Sequence, residues 1–190
     1  RIKYKIMAKK VKIVWLFTNI VLLLWSFLAK AQQRYQTREG SIEVIGSHRD
    51  SIIIANSNHL FVLINYENAE IELMFNPAIL RTSTDSLNVK LINSNIGQVL
   101  LKGQLNIPYV ETLQHPDHKL NFGAELYLNG KTKRVFVNGL LIHIASNETI
   151  SCLLTLNFKL RLSDFGIILP KGWNNEITIQ IFQTVLKKSN

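Results

Sequence analysis

A few residue clusters could carry chemistry. The first is Asp164-Phe165-Gly166, within "RLSDFGIILPKGW" (residues 161–173), which reads as the magnesium-holding tripeptide of protein kinases. That chemistry needs a Gly-rich loop, a strand Lys paired with a helical Glu, and a His-Arg-Asp catalytic loop. The sequence contains none of them, and 190 residues are too few for a two-lobed kinase. The second cluster is "HPDH", where His115, Asp117 and His118 offer two imidazoles and a carboxylate to a divalent metal. Pro116 disfavours a regular helix there and no fourth ligand stands out, while His48, His59 and His143 are scattered. A solvated loop is the preferred reading, no metal or other cofactor is expected, and a metal-assisted enzyme centred on His115 and His118 is the weaker alternative. A nucleophilic triad would need Ser or Cys, His and an acid to meet in space. No Gly-x-Ser-x-Gly elbow is present, so no catalytic residue is assigned and the chain is read as a non-enzyme.

Cys152 is the only cysteine, so it can form no internal disulfide and no Cys-based zinc site. It reads as a small buried apolar residue. Lys131, Lys133 and Arg134 make a basic turn without interleaved aromatics, a solvated hairpin rather than a nucleic-acid platform. Asn147-Glu148-Thr149 fits the glycosylation pattern, which matters only in a eukaryotic source.

Charge placement removes the obvious polyanion reading. The chain carries 22 basic and 13 acidic side chains, a formal charge of +9. Seven of the basic residues (Arg1, Lys3, Lys5, Lys9, Lys10, Lys12 and Lys30) lie in residues 1–31 with no acid among them. The rest of the chain has 15 basic against 13 acidic residues and needs no nucleic-acid partner. The basic segment has the order of an export signal: "MAKKVK" from Met7, the apolar run Ile13–Leu28, then Ala29-Lys30-Ala31. Cleavage is expected after Ala31, giving a periplasmic or secreted domain over residues 32–190 with no membrane span. An uncleaved anchor is the alternative, since the apolar run is only slightly short of the roughly 20 residues that cross a bilayer.

Residues 32–190 alternate apolar and polar almost throughout. In "CLLTLNFKLRL" Cys152, Leu154, Leu156, Phe158, Leu160 and Leu162 share one face, as in a half-buried strand. The same period groups Ile42 with Val44, Leu60 with Val62 and Ile64, and Ile71 with Leu73 and Phe75. It also groups Leu87 with Val89 and Leu91, Val99 with Leu101 and Leu105, Leu120 through Leu128, and Ile177 with Ile179, Ile181 and, beyond them, Val185. "RVFVNGLLIHI" is apolar on both sides, as if covered on both faces. Asn129-Gly130 is a hairpin signal, because both central residues of that turn need positive φ. "SHRDS", "NYENAE", "LINSNIG", "ASNETI" and "PKGWNN" supply further turns, and no helical period is evident apart from a short turn of helix near "ETLQHPDHK".

The pattern predicts an all-β fold, an antiparallel lipocalin-like barrel of about eight to ten strands. Such a barrel is either packed solid or holds one small ligand. A ligand would be held by burial, at about 25 cal/mol per Å² of apolar surface. Leu60, Val62, Leu73, Phe75, Phe122, Leu126, Leu156, Phe158 and Ile179 are the candidate lining residues. A filled core serving a structural or protein-interaction role is the alternative, and the sequence leaves a homodimer open.

Three stretches resemble the YceI-like family. "FGAELYLNGKTKRVFVNGLLI" is similar to its strand, Gly-Lys-Thr-Lys hairpin and following strand. "LNFKLRLSDFGIILPKGWNNEITIQIFQTVLKK" is similar to its ending: a strand closed by Asp-Phe/Tyr-Gly-Ile, a loop, and a last alternating strand. "TREGSIEVIGSHRDSIIIANSNHLFVLIN" resembles its opening strands. The middle departs, because "NSNIGQVLLKGQLNIPYVETLQHPDHK" replaces the family's His-, Phe- and Asn-rich helical stretch that helps close the cavity. The resemblance implies an exported lipocalin-like barrel that binds a polyisoprenoid, quinone or fatty-chain lipid without catalysis.

The Asp164-Phe165-Gly166 stretch is then a structural corner at the end of a long strand. Asp164 is expected to accept backbone hydrogen bonds, and Gly166 to supply a bulge or a close backbone approach. Phe165, Ile167 and Ile168 are expected to pack at the barrel mouth.

Overall fold

The computed structural model describes residues 34–110, 116–144 and 151–188. The expected leader, His115 and the glycosylation pattern at 147–149 lie outside the described residues. Eight strands follow one another in the chain and in space: β1 (Arg34–His48), β2 (Ser51–Asn65), β3 (Glu70–Phe75), β4 (Val99–Gln104), β5 (His118–Leu128), β6 (Lys131–Ile144), β7 (Ser151–Arg161) and β8 (Glu176–Lys188). Each pairs antiparallel with the next, and β1 pairs with β8 from Tyr35–Lys188 to Ile45–Thr178, so the sheet closes into a barrel. These eight strands and their core fall within one compact unit, Gln33–Asn190. No helix among the described residues is long and apolar enough to cross a membrane.

The alternating residues point inward. Leu60, Val62, Ile64, Leu126, Val137, Leu141, Cys152, Leu154 and Leu156 are fully buried in one continuous core. Two narrow features let β6 pack tightly. Asn129 and Gly130 both have positive φ (51° and 74°), which makes the two-residue β5–β6 hairpin expected from the sequence. Gly139 faces the interior against β7, where a Cβ would lie 2.2 Å from the Thr155 carbonyl oxygen. The outer face of β6 is open at Phe136, 69% exposed, and half-buried from Leu140 onward.

Two strand expectations are corrected. The segment containing Leu87, Val89 and Leu91 is a helix, α1 (Asp85–Ile92), rather than a strand. It crosses between β3 and β4 where no free strand edge is offered, so its backbone groups are satisfied within a helix instead of a ladder. In β8 the inward phase slips. Ile177, Ile179 and Ile181 point toward the core, but Thr184 and Leu186 follow them inward, and Val185 is substantially exposed. Between Leu154–Thr184 and Leu156–Ile181, β8 has one residue more than β7, and Gln183 takes φ 38°. A one-residue bulge exchanges the two faces of every position beyond it.

Candidate ligand cavity and its mouth

The barrel has a closed end and an open one. At the closed end Tyr35 and Tyr66 stack with ring centroids 3.9 Å apart, and the Tyr66 hydroxyl donates to the Cys152 thiol. The Val110 N–H donates to the Tyr66 carbonyl (2.8 Å) and the Leu105 N–H to the Ala69 carbonyl (2.9 Å), drawing the β4–β5 connection over this end. Burial pushes the ionisation of Tyr66, Cys152 and Tyr35 upward, reinforced in both tyrosines by the neighbouring Cys152 and opposed in Cys152 by its hydrogen bond with Tyr66. All three are therefore neutral at neutral pH. A buried thiol held as the neutral acid is a poor nucleophile, in keeping with a packing role for Cys152.

The open end holds an apolar cavity of about 330 Å³. Its wall comes from the ends of strands: Val44, Gly46, Ile53, Ala55, Phe75, Val99, Leu128, Leu160, Ile177 and Ile179. Its cover comes from connections: Pro77 and Leu80 after β3, Leu87 and Leu91 of α1, then Ile96, and Ile167, Leu169, Pro170 and Trp173 between β7 and β8.

Local sequence explains how these covers are held. Asn76 caps the short 3-10 turn Pro77–Ile79, accepting from the Ala78 N–H at 2.9 Å. Asn56 and Arg81 exchange two backbone hydrogen bonds of 2.9 Å, tying the next segment to β2. Asn88 clasps α1 to Thr82, accepting from its N–H (2.7 Å) and hydroxyl (2.9 Å) and donating to its carbonyl (3.1 Å). No residue of α1 is fully buried, so this clasp and the contacts of Leu87 and Leu91 carry its attachment. On the other side, the Arg49 N–H donates to the Gly172 carbonyl (2.7 Å), and Trp173 packs against His48 with ring centroids 5.2 Å apart.

The nine candidate lining residues all point inward, at different depths. Phe75 and Ile179 border the cavity itself. Together with Leu60, Leu73, Leu126 and Phe158 they also enclose a void of only about 10 Å³ within the core. Val62, Phe122 and Leu156 border neither space and belong to solid core. The alternation could not find the cover, because its apolar residues sit in connections where period two has no meaning. Ile167 and Leu169 precede the turn signal at Pro170, and of these Ile167 was expected at the barrel mouth.

Asp164, Phe165 and Gly166 lie just outside β7, in a 3-10 turn over Leu162–Phe165. Gly166 takes φ 74° and ends that turn in the left-handed region rather than forming a bulge. Phe165 is buried and Ile167 borders the cavity, whereas Ile168 is 93% exposed. The Asp164 carboxylate is exposed and takes no hydrogen bond from the described residues. Asn175 does that work: its side chain accepts from the Ser163 N–H (2.8 Å) and donates to the Ser163 hydroxyl (2.7 Å), and its carbonyl accepts from the Leu162 N–H (3.0 Å). The Asn129 amide reaches across to the Phe165 carbonyl at 3.0 Å. Among the described residues no three His, Cys, Asp or Glu side chains gather as a metal site.

A closed eight-stranded antiparallel barrel with one covered apolar cavity at its end is a lipocalin-like architecture. No protein-family model and no curated protein matches the sequence. Among solved structures the chain is similar to a polyisoprenoid binding domain from Saccharophagus degradans implicated in plant cell wall breakdown. The TM-score is 0.61 at 8% identity, over 84% of this chain and 99% of that one. It is also similar to BcnA of Burkholderia cenocepacia, with a TM-score of 0.55 at 8% identity, over 77% of this chain and 95% of that one. Both are YceI-like structures, so the family resemblance read from the hairpin and the corner meets the same fold.

Proposed function

We propose that the chain is an exported, non-catalytic binding module that takes an apolar lipid, an isoprenoid or another long chain, into the end of its barrel. The carrying observation is the cavity at the open end, whose wall and cover are almost wholly aliphatic and aromatic. The description of the Saccharophagus degradans domain as polyisoprenoid binding supports the same ligand class. The leader-like residues 1–31 support a periplasmic or secreted location after cleavage at Ala31.

The volume sets how much ligand goes in. At about 30 Å³ per carbon-sized group, the share of a water molecule in the liquid, 330 Å³ takes roughly eleven groups, about two five-carbon units. Below that depth Leu60, Leu73, Leu126 and Phe158 fill the barrel. A long chain is therefore gripped by one end while the rest leaves through the mouth. Native mass spectrometry of the protein purified from its source tests the reading. A retained lipid mass, or uptake of added farnesol, is expected. A clean apo mass with no uptake of farnesol, a quinone or a fatty acid would leave the filled barrel as the better account.

A further inference from the structure

The side chains that face outward around the cavity mouth are unusually apolar. Ile52 is 73% exposed and Ile168 93%, and on α1 Val89 and Ile92 are 55% and 51% exposed. Each is a chain neighbour, or next neighbour, of a residue that borders the cavity: Ile53, Ile167 and Leu169, Leu87 and Leu91. The hydrogen bond from Arg49 to Gly172 holds the β1–β2 hairpin beside the loop that carries Ile168. Ile52, Ile168, Val89 and Ile92 thus gather around one opening, while other exposed apolar side chains, Phe136 and Val185 among them, lie elsewhere on the barrel. Isolated exposed apolar residues need no explanation, whereas several rimming one entrance mark a contact surface.

Charge around the same rim chooses the partner. Arg49, Lys90 and Lys171 are exposed there, and Lys90 stands at the cavity edge. Lys131 reaches Gly166, where its Nζ lies 3.0 Å from a Cβ built on that glycine. Asp50, Asp85 and Asp164 are exposed in the same segments, so the four cations exceed the acids by one. Aliphatic tips among cationic side chains match a bilayer surface, with the tips entering the acyl boundary and the cations meeting lipid phosphates. The ligand argument agrees. A chain too long for the cavity leaves apolar length at the mouth, and that length is shielded when the mouth faces lipid.

We propose that the cavity mouth, rimmed by Ile52, Ile168, Val89 and Ile92, docks on an anionic lipid bilayer to exchange ligand with it. The purpose of this contact rests on the cavity being a lipid site, but its test does not use the cavity. Residues 32–190 are sedimented with vesicles of phosphatidylcholine alone and of phosphatidylcholine with phosphatidylglycerol. Sedimentation with the anionic vesicles is expected, at least tenfold weaker in the Ile52→Asp/Ile168→Asp variant. It is also expected to weaken with salt and in the Lys90→Glu/Lys171→Glu variant. Both variants change exposed side chains, and an unaltered melting curve verifies their fold.

Farnesol uptake is measured separately without vesicles, by the fluorescence of Trp173, the one tryptophan of residues 32–190. It is expected to survive Ile52→Asp/Ile168→Asp. Absence of parent protein from both vesicle pellets, or equal sedimentation of the double Asp variant, overturns the docking proposal. A parent dimer that the double variant breaks, with no vesicle binding, assigns the rim to a second copy and also overturns it. Vesicle binding without farnesol uptake keeps the docking surface and removes the ligand reading.

Discussion

Ala55→Phe separates a working cavity from a by-product of packing. Ala55 lies in β2 with its Cβ toward the cavity, opposite Val44 on β1. A Phe ring there enters space that is empty, so it displaces ligand rather than protein. If the ring withdraws about 100 Å² of apolar contact from the ligand, roughly half of what a Phe buries, the loss is about 2.5 kcal/mol at about 25 cal/mol per Å². That weakens farnesol binding on the order of 70-fold. The ring itself leaves water, so the melting temperature is expected to hold or rise by a few degrees. Were the site already packed, overfilling would cost about 1–3 kcal/mol, lowering the melting temperature by roughly 2–12 °C for a domain of this size. The assay is a farnesol titration followed by Trp173 fluorescence, beside a thermal melt without ligand. A lowered melting temperature would refute the geometry of the cavity. An affinity within threefold of the parent, with an unchanged melt, would refute its role as the ligand site.

Gly139→Ala sets a new methyl 2.2 Å from the Thr155 carbonyl oxygen and 2.5 Å from Leu156 Cδ2, so β6 and β7 must part. A cost of about 3 kcal/mol is expected, read as a drop of roughly 6–12 °C in melting temperature, whereas Gly97→Ala, in open space, leaves it unchanged. Asn175→Ala removes the two side-chain hydrogen bonds to Ser163 and is expected to cost about 1–2 kcal/mol in a denaturant melt. Asp164→Ala stays within about 0.5 kcal/mol, and a larger loss there would reverse the assignment of the clasp. The raised ionisation of Cys152 and Tyr66 fixes the sign of the alkaline limit. Stability from these groups is complete below their unfolded values (9.0 for the thiol, 10.0 for the phenol) and is lost as pH rises above them, because the unfolded chain gives up protons first. Melts at increasing pH are expected to show a decline starting near pH 9, shallower in Cys152→Ala. Native protein is expected to resist iodoacetamide until it unfolds, and rapid labelling would contradict the burial of Cys152.

Much of this barrel was legible in the chain, and the reasons differ by element. Leu120–Leu128 and Cys152–Leu160 alternate without interruption because each strand packs one face on the core and exposes the other to water. Asn129-Gly130 announced its hairpin because few residue pairs tolerate two positive φ values. The phase slip in β8 was not legible. A bulge is a property of pairing, and Gln183 carries no local mark of it. Helix α1 was misread because Leu87, Val89 and Leu91 alternate like a strand while Leu87 and Leu91 are also one helical turn apart. Only the absence of a partner strand decides between the two, and that is tertiary information. The turn over Leu162–Phe165 is held by Asn175 from across the loop, a partner that no local pattern around Asp164 announces. The cavity was least legible, because half its border is loop.

The pairing of β1 with β8 has a consequence for how the chain reaches this state. Tyr35 meets Lys188, so the seam is made between the two ends of the domain. Until β8, the last thirteen-residue strand, has been supplied, β1 and β7 both present unpaired backbone. Contacts of such long sequence separation form slowly, and open strand edges recruit other chains while they wait. Closure of the barrel thus requires that last strand. A chain truncated before Glu176 would expose two edges at once and aggregate, even though seven of its eight strands were intact.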